Sequence, residues 1–229
     1  TKPRLEGRLV WLHAASVGEL NAVLPLADSL RETMAARGRG TPAFLFTTGT
    51  VTSAGLAARR LGANDVHQYV PLDAARYVRR FLDHWRPDLA VFVESEIWPN
   101  LVLETSRRSI PMALVNARMS DRSYARWLKL KSLGTPLFSA FDIVLAQNDK
   151  LAERFKEIGA RRAIGVGNIK IDSPPPPRDD ARLAQLRQAL AGRPVLVAAS
   201  THDGEERVIA AAHRLLARTR ANLCTVIAP

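Results

Sequence analysis

The stretch "LVWLHAASVGELNAVLPLADSLRETMAA", residues 9–36, holds the turn on which the fold depends. Residues 9–14 form an apolar run of strand length. Ala15, Ser16 and Gly18 make a small-residue turn. From Glu19 to residue 36, Leu20, Val23, Leu24, Leu26, Ala27 and Leu30 recur at helical spacing. A strand apolar on successive residues is covered on both faces, which points to a parallel sheet flanked by helices. The lone acid Glu19 stands where strand hands over to helix. Either it favours the helix dipole as a first-turn acid, or it is a general base at the carboxyl end of a strand, where open α/β sheets place ligands. Ser16 and Gly18 leave room beside the backbone for such a ligand.

Outward from this unit the pattern repeats. Further strands are expected at residues 43–48, 67–70, 89–94, 112–116, 143–147 and 163–166, with a helix at 74–85 among the segments between them. The four prolines of "DSPPPPRDD" exclude helix and central strand and favour extended geometry. The expected organisation is a Rossmann-like domain at 1–172, a linker at 173–180, and the start of a second α/β domain at 181–229. In that second part helices are expected at 181–191 and 205–218, and strands at 194–199 and 223–228. Ending on a strand at Pro229, the chain reads as cut short within its second domain.

The 229 residues are 47% hydrophobic and 24% charged, as in a packed globular protein. Lys plus Arg is 33 against 22 acids, a net charge of +11, which favours phosphorylated or otherwise anionic partners. The single cysteine, Cys224, excludes an internal disulfide and reads as a buried thiol. No run has the roughly 20 apolar residues of a membrane-spanning helix. The five histidines have no metal-ligand spacing, so no metal is expected.

Four more stretches could carry chemistry. In "VFVESEIWPN", Glu94 and Glu96 lie at i and i+2 and should face the same way. They are either a solvated pair or a functional one in which proximity raises one pKa. Pro99 suits the first turn of the next helix. In "NARMSDRSYARWLKLK", Arg118, Arg122, Arg126 and Lys129 fall at helical spacings with Tyr124 and Trp127 between them. They form a solvated basic face, or a dock for phosphates or an anionic membrane. In "GVGNIKID" the glycines miss the dinucleotide fingerprint, and Lys170 is a surface lysine or a neutraliser of negative charge. In "AASTHDGEE", Ser200 and Thr201 precede a helix, a setting of ordinary caps and of phosphate sites alike.

Together "HAASVGEL", "ESEIWPN", "NARMSDRS", "AQNDKLAERFKEIGA", "GNIKID" and "ASTHDGEE" resemble, in order and over nearly the whole chain, the 3-deoxy-D-manno-oct-2-ulosonic acid (Kdo) transferases of lipopolysaccharide synthesis. The resemblance implies a GT-B glycosyltransferase of two Rossmann-like domains, the second incomplete here. It implies inverting transfer of Kdo from CMP-Kdo to a lipid A precursor at the cytoplasmic face of the inner membrane, without cofactor or nucleic acid. Glu19 matches the family's base, and Glu94 and Lys170 match positions that support the transition state. Ser16, Gly18, Arg118 and Arg122 are expected on the acceptor side, Ser200 and Thr201 on the donor side. Where the family carries an apolar anchor before the first strand and a longer carboxy-terminal half, this chain has neither, so inactivity in isolation is expected. The alternatives are another GT-B sugar-nucleotide enzyme and a basic polyanion-binding module without catalysis.

Overall fold

The computed structural model describes residues 2–172 and 178–229, and the chain divides into two compact units, Thr1–Ser173 and Pro174–Pro229. Most of the expected proline linker, at 173–177, lies outside the described residues.

The first unit is a sheet of seven strands: β1 (Leu9–His13), β2 (Ala43–Thr48), β3 (Asp65–Tyr69), β4 (Leu89–Val93), β5 (Met112–Ala117), β6 (Ile143–Ala146) and β7 (Ala163–Gly165). Its helices are α1 (Val17–Ala36), α2 (Val51–Arg60), α3 (Ala75–Trp85), α4 (Pro99–Arg107), α5 (Asp121–Lys129), α6 (Lys131–Phe138) and α7 (Asp149–Glu157). Every neighbouring pair of strands is parallel and the order is β3-β2-β1-β4-β5-β6-β7. Succession runs outward in opposite directions from β1 and β4. The two lie side by side, with His13 opposite Phe92. Open sheets of this kind receive ligands beyond the carboxyl ends of the strands at such a reversal.

The unbroken apolar character of β1 has a direct structural cause. Leu9 and Trp11 join one core with Phe81, Trp85, Phe92, Phe138 and Phe155. Val10 and Leu12 join a second, on the other face, with Leu20, Val23, Phe44 and Phe46. Each fully buried large side chain contributes about 1.5–3 kcal/mol, so both faces anchor the strand.

Element boundaries shift where caps decide them. The first helix starts at Val17, because Ser16, in extended conformation, is its N-cap and accepts from the Glu19 backbone N–H. Pro99 does open its helix. The basic stretch at 116–131 is not one helix. Asn116 and Ala117 finish β5, Ser120 caps α5, and a second helix follows at Lys131. Arg118 therefore lies in the connecting loop, off the face of Arg122 and Arg126.

The second unit holds α8 (Asp180–Leu190), β8 (Val195–Ala199), α9 (Glu205–Leu216) and β9 (Cys224–Ala228), with the two strands parallel and Val195 opposite Cys224. Val195 and Val197 are exposed while Ala198 is buried, so the apolar run of β8 is covered on one side. Cys224 is accordingly half-buried, not buried as its sequence setting suggests.

Candidate active site

Glu19 lies in the first turn of α1, beyond the carboxyl end of β1, and is 9% exposed. Its Oε2 accepts from the Ala15 N–H at 2.9 Å and its Oε1 from the Ser16 hydroxyl at 2.8 Å, while its own N–H donates to the Ser16 Oγ at 3.3 Å. This is a variant of the reciprocal capping box, with the carboxylate closing on the residue before the cap. The capping role is therefore realised in full. It leaves unused acceptor capacity, since a carboxylate has about four lone-pair sites. Ser16, with the Ala15 N–H, thus fixes Glu19.

Glu94 follows β4 at φ 58°, a left-handed conformation rare outside glycine, and is 3% exposed. Its Oε2 meets the Arg118 Nε at 2.7 Å and its Oε1 lies 2.5 Å from the Lys170 Nζ. The second contact is an ion pair without hydrogen-bond alignment. Lys170 reaches this place because Gly167, at φ 94°, turns the chain after β7 into a 3-10 helix at Ile169–Asp172. There the Ile169 N–H donates to the Asn116 Oδ1 at 3.2 Å. Gly165 has a different task. A Cβ there would stand 2.6 Å from the Asp149 backbone nitrogen, so glycine is what lets β7 pack on the start of α7. The structure thus brings Glu94, Arg118 and Lys170 together from three distant stretches.

Glu94 and Glu96 do not face the same way. The left-handed residue breaks the extended alternation, and each carboxylate meets partners of its own. Glu96 accepts from the Trp98 indole N–H at 2.7 Å and lies 3.7 Å from His13 Nε2. His13 foremost, and Trp98 with it, holds the Glu96 carboxyl below the usual carboxylate range, against the partial burial that opposes this. Glu96 is thus not the member of the pair whose pKa is raised, because donors and not a second carboxylate surround it.

His13 and Asn116 were not singled out for the site from the sequence. His13 is 1% exposed, and its Nδ1 lies 3.0 Å from the Thr47 hydroxyl, which also accepts from the Trp11 indole N–H at 2.8 Å. Asn116 is fully buried at φ 53°. Polar side chains at the carboxyl ends of otherwise apolar strands were the available signal.

Of the remaining expected residues of the first unit, Arg122 makes none of the contacts of this cluster. Arg122 is exposed on α5 and forms no ion pair among the described residues. Trp127 packs edge-on against Phe138 at 5.2 Å and the Tyr124 hydroxyl donates to Glu157. Ser200 and Thr201 belong to the second unit, where Ser200 takes φ 56° and its N–H donates to the Ala228 carbonyl at 2.7 Å. Neither of them caps α9, whose N-cap is Gly204. Among the described residues no cluster of three metal-ligating side chains occurs, and no helix is long and apolar enough to cross a membrane.

Fold and strand order place the chain in the class of GT-B-like α/β proteins. The solved UDP-GlcNAc 2-epimerase from Neisseria meningitidis, bound to UDP-GlcNAc, matches it with a TM-score of 0.63 over 96% of this chain and 64% of its own. At 14% identity that likeness is one of fold alone. In sequence, the family described as "3-Deoxy-D-manno-octulosonic-acid transferase (kdotransferase)" matches residues 1–173. The 3-deoxy-D-manno-octulosonic acid transferase of Rickettsia felis is 38% identical over 201 residues, 88% of this chain and 42% of its own. That of Haemophilus influenzae is 32% identical over 223 residues, 96% of this chain and 51% of its own. The chain belongs to the Kdo transferase family. It spans about half the length of the curated relatives it matches.

Proposed function

We propose that the full-length protein is an inverting glycosyltransferase that moves Kdo from CMP-Kdo to a lipid A precursor, lipid IVA, with Glu19 as the base. The observation that carries this reading is the placing of Glu19. It is a buried, doubly fixed carboxylate beyond the end of β1, beside the point where strand order reverses. The acceptor hydroxyl donates to a free lone pair of Glu19 and its oxygen bonds to C2 of Kdo. The bond from C2 to the CMP phosphate breaks on the opposite face, the proton ends on Glu19, and CMP departs with the electron pair. Attack from that face inverts the anomeric centre.

Negative charge grows on the departing monophosphate, and fixed cations stabilise it. Glu94 holds Arg118 and Lys170 together, and the three carry one net positive charge. A monophosphate leaving group needs no more than this, so the reading calls on no metal or cofactor. Ser16, Gly18, Arg118 and Arg122 belong to the acceptor side in this reading, with Arg118 also within reach of the Glu94 cluster, and Ser200 and Thr201 to the donor side. The net charge of +11 suits a phosphorylated lipid at the cytoplasmic face of the inner membrane.

The test is incubation of the full-length protein with CMP-Kdo and lipid IVA, followed by product masses. Addition of Kdo is expected. No mass gain overturns the reading, turnover of UDP- or GDP-sugars instead points to another GT-B activity, and lipid binding by the unaltered protein with no turnover of any donor, unchanged by Glu19→Ala and abolished by charge reversal at Arg122 and Arg126, points to a polyanion-binding module.

A further inference from the structure

Among the described residues, four buried side-chain polar atoms lack an aligned hydrogen-bond partner, and three of them are His13 Nε2, Asn116 Nδ2 and Glu94 Oε1, the last of which is met by the Lys170 ammonium as an ion pair. These three stand at the carboxyl ends of β1, β4 and β5, which are neighbours in the sheet. Buried polar groups are nearly always paired, so such a concentration marks a place where geometry serves something besides stability.

His13 is the most informative of them. Thr47 is fully buried and its hydroxyl carries one proton. The Trp11 indole can only donate, so Thr47 accepts there and sends its own proton to His13 Nδ1, which satisfies all three groups. The imidazole then carries its proton on Nε2. The nearer Glu96 oxygen lies 3.7 Å from that Nε2, beyond a true hydrogen bond. Hydrogen bonds in reacting sites are often long until the substrate complex forms.

We propose that His13 is a positioning residue of this site: its buried Nε2–H is the anchor onto which the Glu96 carboxylate closes, and through Glu96 it fixes segment 94–98 over the carboxyl ends of β1 and β4. The chain of contacts supports it at each step. Trp11 and Thr47 lock the tautomer from within the core, Glu96 is tied on its other side to Trp98, and Glu94 at the start of the same segment holds Arg118 and Lys170. His13 has too little exposure to touch a substrate, so it acts through Glu96.

The turnover arm of the test rests on the Kdo transfer proposed above, and the spectroscopic arm does not. In the full-length protein, nitrogen-15 shifts of neutral His13 should report the Nε2-protonated tautomer, and the Nδ1-protonated form overturns the proposal. In kinetics, His13→Gln places an amide N–H near the Nε2 position, whereas His13→Asn reaches only the Nδ1 position. His13→Asn should lower kcat about tenfold to a hundredfold with KM little changed. His13→Gln should recover most of that loss. A role confined to satisfying Thr47 predicts the reverse order, and that result also overturns the proposal. Because a buried substitution can fail to fold, Glu96→Ala on the partly exposed segment is the second variant. It should reproduce the His13→Asn loss, and the double variant should be no worse than either single one. Fully additive losses sink the anchor. If the unaltered protein transfers no Kdo, the proposed reaction fails while the tautomer measurement still decides the anchor.

Discussion

Glu19 caps a helix and is also proposed as a base, and the two roles separate by substitution. Glutamine at the same place in a capping box still reaches back to the free N–H groups. Glu19→Gln should therefore leave thermal stability within about 0.5 kcal/mol while lowering turnover about a hundredfold to ten-thousandfold. Retained turnover in that variant, measured beside a melting curve, would leave the carboxylate a cap and nothing more. At this scale the sequence offers Glu19, Glu94 and Glu96 as candidates but not how they point. Glu94 and Glu96 read as a pair on an extended segment, and only the left-handed backbone at Glu94 sends them to separate partners. No residue type announced that conformation, because glutamate rarely adopts it.

Among the elements, the last turn of the first unit has the largest consequences. Gly165 permits the contact between β7 and α7, so Gly165→Ala forces the start of that helix away and should cost about 1–3 kcal/mol, read from denaturant midpoints. Lys170 is 43% exposed on its 3-10 helix. Lys170→Ala should cut turnover severalfold or more, since its charge is placed by its pairing with Glu94, and should lower stability by about 1–3 kcal/mol, because the buried Glu94 carboxylate is then left with Arg118 alone. Strand positions were legible to within a few residues because both faces of the sheet are apolar. The basic stretch was misread because helical spacing alone does not reveal that β5 runs to Ala117 and that Ser120 starts the helix. The glycines of "GVGNIKID", unmatched to any fingerprint, prove to serve packing at one position and a turn at the other.

For the molecule as a whole, alternation of strand and helix implies a parallel sheet, whereas the strand order that sets the position of the reversal is a property of tertiary pairing alone. Tertiary pairing also creates an electrostatic feature invisible in the sequence. Glu104, 2% exposed, accepts from Arg79 at 3.0 Å, Arg107 at 2.7 Å and Arg108 at 3.1 Å, and these lower its pKa to about 2, with Arg79 foremost and burial opposing. A folded-state pKa below the ordinary value of 4.5 means that this stabilisation is present above about pH 4.5 and is lost as pH falls towards 2. The guanidiniums of Arg79 and Arg107 are largely open to water, which reduces the gain below what the shift alone implies. Urea midpoints recorded between about pH 6 and pH 2 should fall more steeply in the parent than in Glu104→Gln, and equal slopes would assign the acid sensitivity elsewhere. The left-handed backbone at Glu94 has a consequence for how this protein can change over generations. Glycine would adopt φ 58° without the penalty of about 1 kcal/mol that a side chain incurs there. Variants bred for heat resistance alone should drift to glycine at position 94, and lineages required to transfer sugar should keep the acid and remain less robust than their scaffold allows.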